Sequence, residues 1–192
     1  MTPPYEMRPL RTGAERAEAI ALVKDRQRWL TLHNLPVARM DVPAVFRDSQ
    51  AELAGLFEEG VLAACMILRN EAHLEWGSGP CLVLDQVHTH PGRSDNAVRY
   101  ISLWASDFAA RREVLHVRAE ALSREGASDP IAPVLNGYVD MGWVLHGYGL
   151  GQGGERAARL ELRAEYRPTL GALVGCRMNT AQLPESGDGA RD

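Results

Sequence analysis

CLVLDQVHTHPGRSDNAVRYISLWASDFAARR, residues Cys81 to Arg112, changes its hydrophobic period halfway along. Its first part, Cys81 to Thr89, holds Leu82, Val83, Leu84 and Val87, which suits a strand buried on both faces. His90 to Asn96 is a polar connector with Pro91 as its one apolar side chain. From Ala97 the period becomes 3.6: Ala97, Ile101, Trp104, Ala105 and Phe108 recur on one face, and Arg111 and Arg112 close the last turn. A strand, a short polar loop and a helix N-terminus make a phosphate-binding geometry, because the first helical N–H groups are unpaired and the dipole adds positive charge. Any strand–helix unit shares it, so a plain packing unit stays open on this ground alone.

On the N-terminal side, Tyr5 to Leu10 reads as an edge strand ended by Pro9. A helix starts at Thr12 or Gly13 and runs to about His33, stopped by Asn34-Leu35-Pro36. A short helix around Pro43–Asp48 leads to a strand at Leu53–Phe57. Glu58-Glu59-Gly60 is a hairpin turn, and Val61–Leu68 is the returning strand. His73–Trp76 continues it or extends it, before Gly77–Pro80 turns the chain into the central strand. On the C-terminal side Leu115–Ala121 alternates as a strand, Ser123–Asp129 is a loop, and Ile131 to about Met141 is a helix with Pro133 in its first turn. Trp143–Tyr148 and Ala158–Ala164 pair across the glycine-rich Gly149–Gly154. The order is β-α-α-β-β-β-α-β-α-β-β.

At 192 residues, 45% hydrophobic and 24% charged, the chain suits one soluble domain with tails. A net charge of −4 without any Lys/Arg-rich block argues against a nucleic-acid partner. No run approaches a membrane span, the N-terminus lacks the apolar core of a signal peptide, and Cys65, Cys81 and Cys176 are widely spaced. These features predict a cytoplasmic protein with reduced thiols and no membrane partner.

Arg93-Ser94-Asp95-Asn96-Ala97-Val98 resembles the acetyl-CoA-binding motif R/Q-x-x-G-x-G/A of the GCN5-related N-acetyltransferases. Asn96 and Val98 stand where that family prefers glycines. Asn takes left-handed backbone angles more readily than most residues, whereas the branched Val98 narrows the room for a pyrophosphate. Arg28-Trp29-Leu30 and Leu103-Trp104-Ala105-Ser106-Asp107 are similar to the W-L and L-x-W-A-x-D of a branch common in actinomycetes. Leu115–Ala121 resembles its L-R-L-D-A strand with Glu120 for Asp, and Tyr138–Trp143 resembles the family's Y-E-x-x-G-F. The matches follow the family's order over about residues 5–164.

The resemblance implies an α+β fold, α/β/α in layers, with a central mixed, mostly antiparallel sheet, flanking helices and a V-shaped cleft where the strands at Leu82–Thr89 and Leu115–Ala121 splay. The acetyltransferase domain would span 1–166 and a C-terminal extension 167–192, with Pro184–Asp192 disordered by composition. Acetyl-CoA is the implied co-substrate, and no metal is used. Its pyrophosphate would lie on Arg93, Ser94, Asp95, Asn96, Ala97 and Val98. Its pantetheine arm would add to the sheet along Val87, His88 and Thr89, with Asn136 within reach. The acceptor would be a primary amine of a small molecule or peptide, and a homodimer is compatible with the family.

Amide formation from a thioester needs an acid for the thiolate and a base for the amine. Tyr138 occupies the family's acid position; the competing reading is a packed ring with a surface hydroxyl. Asp85, a carboxylate in an apolar strand, is the base, or else a structural ion pair with an arginine. Glu75 is the alternative base, and Trp76 and Trp29 are the acceptor-binding candidates. His88 and His90 form an H-x-H, which supplies two metal ligands at most. Asp85, Glu75 and the net acidity suit a cationic amine. An active acyl-CoA-dependent N-acetyltransferase and a degenerate member that binds a ligand or partner without turnover both remain open, with an unrelated α+β binding module as a third class.

Overall fold

The structure is a computed structural model; it describes residues 3–92, 94–124 and 131–179, with Ser94 and Asp95 described by backbone alone. Arg93, most of the Ser123–Asp129 loop and the Pro184–Asp192 tail lie outside the described residues. The described residues form one eight-stranded sheet flanked by helices on both faces. In chain order the elements are β1 (Tyr5–Pro9), α1 (Gly13–Leu32), α2 (Val42–Arg47), β2 (Glu52–Glu58), β3 (Val61–Glu71) and β4 (Cys81–Thr89). They continue with α3 (Ser94–Arg111), β5 (His116–Leu122), α4 (Ala132–Asp140), β6 (Val144–Leu150), β7 (Arg156–Arg163) and β8 (Val174–Cys176). The sheet order is β6-β7-β5-β4-β3-β2-β1-β8.

Local chemistry fixes the joints. Thr12 caps α1 in a full capping box, its hydroxyl accepting from the Glu15 N–H while the Glu15 carboxylate accepts from the Thr12 N–H. Asn34, at φ 53, ends α1, and Leu35 N–H reaches back to the Leu30 carbonyl at 2.8 Å. Glu59 and Gly60 both have positive φ, 50 and 83, which is the twist a two-residue hairpin between β2 and β3 requires. Arg16 donates to the carbonyls of Phe46, Asp48 and Ala51 and so ties α1 to the α2–β2 connection.

Two apolar cores lie on opposite sheet faces. On one, Leu82 and Leu84 of β4 and Val117 of β5 meet Ala97, Ile101, Trp104, Ala105 and Phe108 of α3, with Ile131 and Leu135 at α4. On the other, Leu53, Phe57, Leu62, Cys65 and Ile67 meet Ala19, Leu22 and Val23 of α1 and Phe46 of α2.

Three expectations change. α3 begins at Ser94, not at Ala97, because a first turn needs no apolar residue and periodicity therefore reads a helix start late. Asn96 is thus helical and is not among the residues with positive φ. His73–Trp76 does not prolong β3: Leu74 and Gly77 close a tight bridge on each other. Beyond residue 166 the chain turns through Leu170–Ala172 and adds β8 parallel to β1, burying Leu170, Val174 and Met178. Its side chains give no alternating run long enough to read as a strand. Cys176 there accepts from the Trp104 indole at 3.3 Å, while Cys65 and Cys81 are buried free thiols.

Candidate active site

β4 and β5 run parallel and are paired only at Cys81, Leu82, Val83 and Leu84 with His116, Val117, Arg118 and Ala119. After Leu84 they separate. β4 continues with β3 to Thr89, and β5 continues with β7 to Leu122. The parting coincides with a bulge in β4: its register with β3 shifts between Ile67↔Asp85 and Cys65↔His88, and Gln86 between them takes φ 49. A non-glycine residue in that region of backbone space is costly, and such positions concentrate at functional sites. Past the bulge, His90 N–H bonds to Ala63 of β3, so strand alternation turns the peptide groups of Val87 and Thr89 toward the open edge.

Two cavities meet at the parting. The inner one, about 230 Å³, runs from α1 across the bulge to α4 and is bounded by Arg26, Leu30, Asp85, Val87, His88, Glu120 and Tyr138 among others. The outer one, about 420 Å³, shares Asp85, Glu120 and Gln152 with it and opens past Trp76 and Glu75.

The Tyr138 ring, half-buried, packs edge-on against Trp143 at 5.8 Å, and the residue lines the inner cavity. Burial raises its pKa above the ordinary phenol value, against the opposing charge of Arg26, so the group is a neutral O–H donor at neutral pH. Asp85 lines both cavities, yet its carboxylate accepts from Gln152 Nε2 at 2.9 Å and lies 3.4 Å from the Arg69 guanidinium. The ion-pair alternative for Asp85 is therefore present. Glu120, at the end of β5, faces the same space with a side chain 29% exposed. Burial raises its pKa, and the charge of Asp85 adds to that; Arg159, 3.7 Å away, Trp76 and Arg69 oppose it. Sequence reasoning noticed Glu120 only as a variant of a motif. Its surroundings depend on the β6–β7 connection, where Gly151 approaches its carboxylate, and nothing local to β5 shows that.

Arg118 is a buried arginine, 1% exposed, on the face of β5 that carries Glu120. It donates to Glu161 at 2.8 Å and to the carbonyls of Gly77, Ser78 and Gly79 at 2.6–3.2 Å. These bonds fix the turn that holds Trp76 over the outer cavity. Glu75 is exposed at that mouth. His88 is buried against Phe46, and desolvation together with Arg26 lowers its pKa to about 4. It is neutral at pH 7. Ala97 is buried, Val98 half-buried and Asn96 exposed on the first turns of α3. Asn136 is exposed on α4, outside the cavity lining. Trp29 stacks on His33 and supports the Arg26 guanidinium at 4.5 Å without itself lining the cavity. Arg26 is the cavity residue that sequence reasoning passed over, since an arginine in an amphipathic helix reads as solvated surface.

No family model matches the chain, and no curated protein matches it in sequence. Solved structures do match in shape. A GNAT-family acetyltransferase from Streptococcus agalactiae aligns with a TM-score of 0.63 at 12% identity, over 84% of this chain and 96% of that one. An N-acyl amino acid synthase from uncultured soil microbes aligns at 0.59 and 14%, over 85% and 92%. The ribosomal-protein-S18-alanine N-acetyltransferase from Escherichia coli aligns at 0.54 and 16%, over 85% and 96%. The chain has the GCN5-related N-acetyltransferase fold: a mixed, open sheet with flanking helices and a central splay.

Proposed function

We propose that this protein transfers an acyl group, acetyl from acetyl-CoA first among them, to a primary amine of a small molecule or peptide by direct attack. The observation that carries the reading is the parting of β4 from β5 at Leu84 and Ala119, with a strained bulge on one side and a neutral, half-buried phenol that lines the same cavity as two carboxylates. Trp29-Leu30 and Leu103–Asp107 suggest the actinomycete-type branch.

The residues present fit the co-substrate. The open edge at Val87 and Thr89 offers peptide donors and acceptors to an extended amide chain, in the manner of an added strand. The first turn of α3, with Asn96 exposed, offers N–H groups to a pyrophosphate. Bound there, acetyl-CoA supplies an activated acyl carbonyl. The amine nitrogen forms the new bond to that carbon, and the carbon–sulfur bond breaks. We assign the amine proton to Glu120, whose raised pKa suits a base, with Asp85 holding Gln152 of the β6–β7 connection and adding negative charge nearby. Tyr138 donates the proton that the departing thiolate takes up. Trp76 walls the acceptor entrance.

The test is thiol release from acetyl-CoA in the presence of a panel of primary amines, with calorimetry of CoA binding alongside. Amine-dependent release supports the reading. Tight CoA binding without release by any amine favours the second reading, a ligand-binding member without turnover, for which Asn96 and Val98 at glycine positions are the motive. Absence of CoA binding refutes both.

A further inference from the structure

At the α1 end of the inner cavity two side-chain nitrogens lack a hydrogen-bond partner. Arg26 Nη1 and His88 Nε2 are both buried without a hydrogen-bond partner, and both residues line the cavity. His88 is 8% exposed. Neither side chain is loosely held. The Arg26 guanidinium lies 4.5 Å over the Trp29 ring, which stacks on His33 at 4.0 Å, and His33 in turn bonds to the Trp29 carbonyl at 2.8 Å. His88 is fixed by its strand register with Cys65 and by the edge of Phe46. Among the described residues no carboxylate forms an ion pair with Arg26, and its titratable neighbour is the phenol of Tyr138, neutral at pH 7. Two unpartnered buried nitrogens, one of them on a charged guanidinium, are costly to the fold. An anionic oxygen group satisfies both. The remainder of the cavity is of opposite character: Asp85, Glu120 and Glu155 carry negative charge, and Leu30, Leu35 and Val37 supply an apolar wall between.

We propose that the acyl acceptor is an amino acid: an amine that also bears a carboxylate, the carboxylate bound by Arg26 and His88 and the amine directed to Glu120. This rests on the transferase reading above and narrows its substrate class. A bare cationic amine satisfies only the acidic end of the cavity, and an aminoglycoside-like acceptor leaves the Arg26 end unpaired.

The test compares L-leucine with leucinamide and 6-aminohexanoate with hexylamine, each with acetyl-CoA in the thiol-release assay. The same four compounds are titrated by ligand-observed NMR against the full chain without acetyl-CoA. A site built around a buried charge discriminates strongly against a ligand that leaves it unpaired, so at least one acid should exceed its carboxylate-free counterpart tenfold or more in kcat/KM and in binding. In Arg26→Gln that ratio should fall at least tenfold, and Arg26→Lys should restore part of it. The ratio is internal to each variant, so partial loss of folded protein cancels. If the acids bind selectively but no thiol is released, the carboxylate site stands and the transferase reading fails. If the carboxylate-free amines are acetylated as well as the acids, or if Arg26→Gln leaves the ratio unchanged, the amino-acid proposal is overturned while transfer survives. No discrimination in either measurement refutes it outright.

Discussion

Removing one oxygen atom from Tyr138 isolates its chemical role from its packing role. The ring stands edge-on to Trp143 and packs against the core beneath α3 and α4, contacts that Tyr138→Phe keeps whole. Among the described residues the hydroxyl is assigned no hydrogen-bond partner, and it fronts the cavity, so its loss leaves no buried donor or acceptor unsatisfied. Stability should therefore change by no more than about 0.5 kcal/mol. Catalysis is another matter. With a pKa raised above that of an ordinary phenol by burial, Tyr138 stays protonated through neutral pH and can supply a proton to a thiolate. A positioned general acid is worth roughly 10²–10⁴-fold, which corresponds to about 3–5 kcal/mol of barrier. In single-turnover thiol release, the chemical rate should fall by that factor while acetyl-CoA affinity by calorimetry stays within about twofold. A fall of less than about threefold in the chemical step, with the protein folded, would refute the assignment. The proton would then reach sulfur from water or from another group, and substrate alignment would carry the acceleration.

Glu120→Gln should lower kcat/KM by roughly 10²-fold or more and flatten its dependence on pH, whereas Asp85→Asn should act mainly by loosening Gln152 and the Arg69 pair, with a smaller loss and the pH profile retained; a larger, pH-flattening loss for Asp85→Asn would return the base role to Asp85. His88 should make the protein acid-sensitive. Its pKa is about 4 folded and near 6.5 unfolded, so between those values the unfolded chain binds the extra proton and stability falls as pH drops. The full loss is about 3 kcal/mol at roughly 1.4 kcal/mol per pH unit, read as a drop in urea midpoint from pH 7 to pH 4 that His88→Leu should reduce. Gln86→Ile places a branched side chain at φ 49 and should cost about 2 kcal/mol in urea denaturation, with Gln86→Gly costing less; equal effects would mean that the bulge is not strained.

Elements set by local rules were legible. The Thr12 cap, the Asn34 stop, the Glu59-Gly60 turn and the bounds of β4 all follow from residue types acting within a few positions. So did the sheet's splay, though through resemblance and not through periodicity. What escaped reading depends on partners distant in sequence. β8 is three residues long, and its place in the sheet comes from β1, well over a hundred residues earlier. Arg118 sits in an alternating strand as any surface arginine would; its burial comes from Glu161 and the carbonyls of residues 77–79. For Asp85 the sequence left a base and an ion pair with an arginine both open, and its partners Arg69 and Gln152 approach from β3 and from the β6–β7 connection, where no local rule names them. Arg26 and Glu120 were passed over for the same reason. Charge at a helix or strand position is ordinary until tertiary packing encloses it.

The cleft does not need a ligand to hold it open, because each wall is secured to its own side of the sheet. β5 stays hydrogen-bonded to β7 from His116 through Leu122, and Arg118 bonds it further to Glu161 of β7. β4 stays with β3 through Thr89, and the Gln86 bulge redirects it along that partner and away from β5. The halves β6-β7-β5 and β4-β3-β2-β1-β8 are joined by four residue pairs at the base, by the Arg118 bonds to the carbonyls of Gly77, Ser78 and Gly79, by the Gln152–Asp85 bond and by the apolar layer under α3. Zipping β4 to β5 beyond Leu84 would require β4 to lose the bulge that redirects it along β3, breaking ladder bonds there for the few gained. A preformed slot with unpaired strand edge on one wall accepts an extended amide chain without reorganisation, which reduces the ordering cost of binding. Tyr138 from α4 on one face and Arg26 from α1 on the other then reach the gap from opposite layers. The acid and the proposed acceptor site therefore meet only where the sheet has parted, and a continuous sheet built from the same residues would keep them apart.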